Sequence, residues 1–146
     1  KRSPVSSMAY FDEIHSGKKG LEYLMSVSDY IIVTVDLNKE TYHMINKDNL
    51  KLMKESSSII NIARGSIINQ EDLKEALKDK TISYAGLDVF EIEPLPEHDE
   101  LWDMENVYIT PHAAGIVKNN KKRLADLVVS NIQRFIDDEK LAYVVK

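Results

Sequence analysis

The chain has 146 residues, 43% of them hydrophobic and 29% charged, a length that can bury one core without covalent staples. It contains no cysteine, which excludes a disulfide framework and a thiolate metal site and fits a reducing cytoplasm. A net charge of −5 argues against nucleic acid, no apolar run nears the roughly 20 residues of a membrane span, and no signal-peptide pattern is visible.

Residues 1–15, KRSPVSSMAYFDEIH, read as irregular or edge structure, and Lys1 at the first position points to a piece of a longer polypeptide. YIIVTV (30–35) is a continuous β-branched run, the pattern of a strand buried on both faces. NKDNLKLMKES (46–56) follows as a helix that turns Leu50, Met53 and Leu52 toward a core. SIINIA (58–63) is the second strand. In NQEDLKEALKDK (69–80), Asn69 is an N-cap, acids fill the first turn and lysines the last. Its Leu73, Ala76 and Leu77 share one face. AGLDVF (85–90) and VYIT (107–110) are further strands, separated by an acidic loop that opens EIEPLPEHDE. KNNKKRLADLVVSNIQRFIDD (118–138) predicts a long helix with Leu124, Val128, Ile132 and Phe135 as its apolar stripe.

Strands alternating with single helices predict an α/β fold: a parallel sheet with right-handed crossovers, covered on both faces. Ligands of such sheets lie at the carboxyl ends of the strands. That rule selects Asp36-Leu37-Asn38, Arg64-Gly65, Asp88 with Glu93, and His112.

Each of these has a chemical and a plain structural reading. Arg64 can offer its planar fork to a carboxylate through two parallel hydrogen bonds, or it can close a surface salt bridge beside a glycine turn. Pro111 stiffens the approach to His112, and Pro94 restricts Glu93. A carboxylate beside an imidazole favours the imidazolium, which then donates a proton near neutrality. Taken alone, the loop is a solvated acidic stretch and the histidine a hydrogen-bonded filler. Histidines 15, 43, 98 and 112 show no metal-ligand spacing, and G-x-S-x-G is absent. Glycines 17, 20, 65, 86 and 115 build no G-x-G-x-x-G.

In order along the chain stand T-x-x-x-I-N (41–46), N-x-A-R-G (61–65), A-G-L-D-V-F-x-x-E-P (85–94) and N-V-x-x-T-P-H (106–112). Together they resemble the NAD(P)-binding domain of the D-isomer-specific 2-hydroxyacid dehydrogenases, over nearly the whole length. The resemblance implies a doubly wound, Rossmann-like parallel sheet that is incomplete. Residues 1–115 would be the C-terminal portion of the dinucleotide-binding domain. Residues 116–146 would be a long helix and tail leading back toward a substrate domain, most of which is absent. The family's glycine-rich loop would lie upstream of Lys1, so the chain alone is expected to be inactive.

The same resemblance implies roles. Arg64 would hold the carboxylate of a small 2-oxo acid, and His112 would protonate its carbonyl oxygen as hydride arrives from NAD(P)H. Glu93 would pair with His112; Glu91 is not the matching position. Asp88 would meet the nicotinamide carboxamide, and Val35, Asp36, Thr41, the Ile62-Ala63-Arg64 backbone and His112 through Ala114 and Gly115 would border the cofactor. Asp36 stands where the family often has proline. Lys1, Arg2 and Ser3 would suit a 2′-phosphate, favouring NADP over NAD. A cytoplasmic homodimer that reduces glyoxylate, hydroxypyruvate or a similar acid is the expected whole, with no nucleic acid, membrane or metal. The alternative is a non-catalytic, dinucleotide-sensing regulatory protein of the same fold. A flavodoxin-like signalling domain shares the alternation but leaves Glu-Pro and Thr-Pro-His unexplained.

Overall fold

The computed structural model describes residues 11–144; Arg2 and Ser3, the expected 2′-phosphate contacts, lie outside them. Two compact units make up the chain, Lys1–Ala113 and Ala114–Lys146. The first holds α1 (Gly17–Val27), β1 (Tyr30–Val33), α2 (Lys47–Leu50), β2 (Ser58–Asn61), α3 (Gln70–Lys78), β3 (Tyr84–Leu87) and β4 (Val107–Ile109). The second holds α4 (Asn120–Ile136).

The four strands form one sheet in the order β1-β2-β3-β4, parallel throughout, with Ile31 beside Ile59, Ile59 beside Ala85 and Ala85 beside Val107. This is the expected Rossmann-like α/β arrangement. Every strand stops short of its apolar run. Thr34-Val35, Ile62-Ala63, Asp88–Phe90 and Thr110 leave the ladder and form the rim at the carboxyl ends. The departure is gradual, since Ile62, Asp88 and Thr110 still donate their N–H groups to Val33, Asn61 and Leu87.

Burial departs from expectation. Ile31, Val33, Ile59, Asn61, Ala85 and Leu87 point into a core shared with Met25 of α1, Leu50 of α2 and Leu73 and Leu77 of α3. On the opposite face Tyr30, Ile32, Tyr84 and Tyr108 are exposed. Among the described residues, therefore, the sheet is covered on one face and β1 is not a doubly buried strand. Side chains alternate across a strand, and a continuous apolar run does not say whether both of its faces are covered.

The helices repeat this mixture. Asn69 caps α3 by accepting the Asp72 N–H at 3.1 Å, and Leu73, Ala76 and Leu77 are buried. In α2, Asn46 forms a reciprocal capping box with Asn49, yet the helix ends at Leu50. Met53 is still buried, whereas Leu52 faces solvent. Helix α1 has no counterpart in the sequence reading. Its glycines hid it, yet Gly20 is needed there because a Cβ would stand 2.9 Å from the His15 Cβ. Helix α4 matches its predicted span within two residues at each end, and none of its residues is buried. No helix of the described residues is long and apolar enough to cross a membrane.

Candidate active site

The rim begins at Asn61, the last residue of β2 and almost wholly buried. Its side-chain carbonyl accepts the Ala63 N–H at 3.1 Å, and its amide donates to the Arg64 carbonyl at 3.0 Å. An asparagine bonding to its own backbone two residues on is a turn-forming device. It fixes the exit of β2 and delivers Arg64 to the surface. The Arg64 guanidinium is exposed and donates to the Ala63 carbonyl at 2.6 Å. Gly65 then packs directly beneath the next loop: a Cβ there would lie 1.9 Å from the Phe90 carbonyl carbon. No residue larger than glycine fits without moving backbone.

That contact seats the segment Phe90–Glu93. One Glu93 oxygen accepts the Phe90 N–H at 3.0 Å, and the other lies 2.6 Å from the His112 Nδ1. Burial works to raise the Glu93 carboxyl, but the His112 and Phe90 hydrogen bonds and the charges of His112 and Arg64 outweigh it. The group is held below its ordinary value, and so it is a carboxylate at neutrality. A carboxylate can only accept, so His112 carries its proton on Nδ1. The Nε2 atom is left for other work, on a side chain that is 49% exposed.

His112 has φ of 51°, a left-handed conformation that a side-chain-bearing residue keeps only where its surroundings enforce it. Asp88 supplies the enforcement from the end of β3. One of its carboxylate oxygens accepts the Thr110 hydroxyl at 2.5 Å and the Ala113 N–H at 2.8 Å. It therefore grips the turn on both sides of His112. Asp88 is only 3% exposed.

Arg64, Asp88, Glu93 and His112 thus lie together on one rim. The other expected positions are more scattered. Val35 and Ile62 are apolar yet 40% and 44% exposed, beside the strand ends. Thr41 is occupied in closing its own loop: its hydroxyl donates to the Asp36 carbonyl at 2.6 Å and accepts the Asn38 N–H at 2.8 Å. Ala114 and Gly115 open the second unit, and Gly115 has open space around it. Exposed apolar side chains at the strand ends, with an exposed guanidinium and a fixed imidazole on the same rim, suit a flat, partly charged ring system. The residues present therefore fit a nicotinamide dinucleotide. Asn61 and Thr110 had no assigned part. Asparagine at a strand end is a legible turn signal; Thr110 stands in the T-P-H motif, but its bond to Asp88, 22 positions away, has no local sign.

The family described as D-isomer specific 2-hydroxyacid dehydrogenase, NAD binding domain, matches residues 2–114. A glyoxylate reductase from Thermococcus onnurineus (strain NA1) is 43% identical over 119 residues, 82% of this chain and 35% of that protein. The chain thus spans about a third of the length of such curated relatives. Among solved structures, a D-isomer specific 2-hydroxyacid dehydrogenase from Xanthobacter autotrophicus Py2, in complex with NADPH and MES, superposes with a TM-score of 0.82 at 35% identity. That match covers 89% of this chain and 53% of the other. An NADPH-dependent glyoxylate/hydroxypyruvate reductase from Sinorhizobium meliloti, in complex with NADP and sulfate, gives a TM-score of 0.84 at 28% identity, covering 97% and 46%. With its four-stranded parallel sheet and its match from residue 2 to residue 114, the chain belongs to the D-isomer specific 2-hydroxyacid dehydrogenase family, in the NAD-binding domain.

Proposed function

We propose that this chain is the cofactor-binding, acid-bearing part of a reductase that uses NAD(P)H on small 2-oxo acids, glyoxylate and hydroxypyruvate first among them. The observation that carries the reading is the 2.6 Å pairing of Glu93 with His112 Nδ1, which leaves Nε2 as the atom free to move a proton. When bound, the nicotinamide supplies the hydride. Negative charge then builds on the substrate's carbonyl oxygen, and His112 Nε2 meets it with a proton. In the reverse direction the neutral imidazole takes that proton back. Glu93 accepts the Nδ1 proton and so holds the ring with Nε2 turned to the reaction.

Arg64 is the cation for the substrate carboxylate, and its fork also draws electron density from the adjacent carbonyl. Its exposed guanidinium, bound only to the neighbouring carbonyl, can swing to that task without breaking a buried pair. Val35, Ile62 and Ala63 form the apolar bed for the cofactor, with Asp36 and Thr41 at its margin. Asp88 borders the carboxamide while it holds the turn.

NADP as the preferred cofactor is supported by the Lys1-Arg2-Ser3 stretch and by NADPH or NADP in two of the similar structures. A cytoplasmic homodimer completes the proposal. The test follows NADPH and NADH oxidation by the complete polypeptide that carries this chain, with glyoxylate, hydroxypyruvate and a wider 2-oxo acid panel. Turnover with NADPH faster than with NADH is the expected result. Tight cofactor binding with no turnover of any acid would overturn the reductase reading in favour of a dinucleotide-sensing regulator.

A further inference from the structure

The loop that presents Glu93 carries a second glutamate with its own histidine. Glu91 Oε1 lies 2.8 Å from His43 Nε2 and accepts the Gln70 N–H at 3.0 Å. The Glu91 N–H in turn donates to the Gln70 side-chain carbonyl at 3.1 Å. Main chain and side chain of Glu91 are therefore both tied to the first residue of α3. Gln70 passes the tie on, its amide donating to Asp99 at 3.2 Å at the far end of the same loop.

His43 is itself held unusually. Its φ is 46°, its N–H donates to the Ser66 carbonyl at 2.8 Å, and its ring stacks on Tyr42 at 4.0 Å. Such a left-handed residue persists where several contacts over-determine it. Three do so here, and the third is the bond to Glu91. His43 and Glu91 side chains are 26% and 30% exposed, against 49% for His112. An isolated ion pair this close to the surface adds little to stability, so its consequence is geometric. Glu91 follows Phe90, whose N–H is bound by Glu93 and whose carbonyl rests on Gly65. Any slip at Glu91 moves Phe90 and Glu93 with it.

We infer that Glu91 and His43 are positioning residues: together with Gln70 they clamp the Phe90–Glu93 segment so that Glu93 meets His112 Nδ1. Two histidines on two separate connections are thereby linked through the one stretch of loop Phe90–Glu93. The inference deepens the proposed role of His112 and draws its meaning from it. Its test does not depend on turnover.

The readout is the tautomer of His112, followed by 15N imidazole spectra of the full chain at a pH where the ring is neutral. The wild type should hold the Nδ1–H form. Glu93→Ala, the control, should release His112 to the Nε2–H form that free imidazole side chains prefer. Glu91→Ala and His43→Gln should each lose most of the Nδ1–H population at His112, with the amide spectrum otherwise retained. Glu91→Gln should restore it in large part, because its carbonyl oxygen can still accept from both His43 Nε2 and the Gln70 N–H, the two partners of Glu91 Oε1. A merely structural clamp would alter stability and leave the tautomer alone. If Glu91→Ala does not fold, His43→Gln decides, since it leaves both Glu91–Gln70 bonds in place. A wild-type tautomer in folded Glu91→Ala or His43→Gln overturns the inference. Absence of reductase activity alongside the expected tautomer change would overturn only the functional reading.

Discussion

Along β1, Ile31 and Val33 are buried while Tyr30 and Ile32 are 73% and 62% exposed; across β3, Ala85 is buried and Tyr84 open. These are the same strands, equally apolar in sequence, and they differ only in which way the pleat turns each side chain. The covered face packs against three helices, and its residues fit one another closely. The open face has large side chains in contact with solvent, Tyr84 and Tyr108 resting ring to ring at 6.2 Å. Apolar composition therefore sets strand identity here, and packing sets energetic weight. The rim sits at the carboxyl ends of both faces and obeys neither rule, because its polar groups are fixed by hydrogen bonds to one another.

Four substitutions sharpen or break that contrast. Ile59→Ala on the covered face, at full burial, should lower the unfolding free energy by about 2–5 kcal/mol, measured by urea titration. Gly65→Ala, where face and rim meet, should cost about 1–3 kcal/mol by overpacking against Phe90. Because the strain falls on the loop that holds Glu93, it should also disturb the His112 imidazole signals. Ile32→Ala on the open face should stay within about 0.5 kcal/mol of wild type. A loss as large as that at Ile59 would show that this face is packed in solution and would break the comparison.

Glu93→Gln should give the smallest and most conditional change. The Glu93 carboxyl is held below its ordinary value in the folded chain, so its contribution is present above the unfolded value of about 4.3. It is lost as pH falls through the folded value. The wild type and Glu93→Gln should therefore differ in denaturation midpoint at neutral pH and converge as the carboxylate is protonated on acidification. A gap that widens on acidification would contradict the sign of the shift.

Much of this was legible. Four β-rich runs and the capped, amphipathic α3 carry their periods in the chain itself, so the parallel α/β topology followed from alternation, whereas the order β1-β2-β3-β4 came from the structure. Glu93 and His112 were legible as a pair through the resemblance carried by an ordered set of motifs, with one proline beside each of them, Pro94 and Pro111. What stayed hidden is what depends on distant partners. The burial of Asp88 and its grip on Thr110 and Ala113 join residues more than 20 positions apart. The His43–Glu91 bond spans 48 positions, and neither residue has a local feature that announces it. Helix α1 escaped because two glycines interrupt its pattern, although one of them is what lets His15 pack close. The open face escaped because a β-branched run reads the same whether one side or both are covered.

The central claim is that Glu93 fixes His112 so that Nε2 serves as the acid. It is tested most directly by His112→Gln in the complete polypeptide, comparing NADPH binding with NADPH-dependent reduction of glyoxylate or hydroxypyruvate. Cofactor affinity close to wild type together with turnover lowered by about 10²–10⁴-fold is the predicted result. Turnover that survives the substitution, or that falls only in step with cofactor binding, would contradict it.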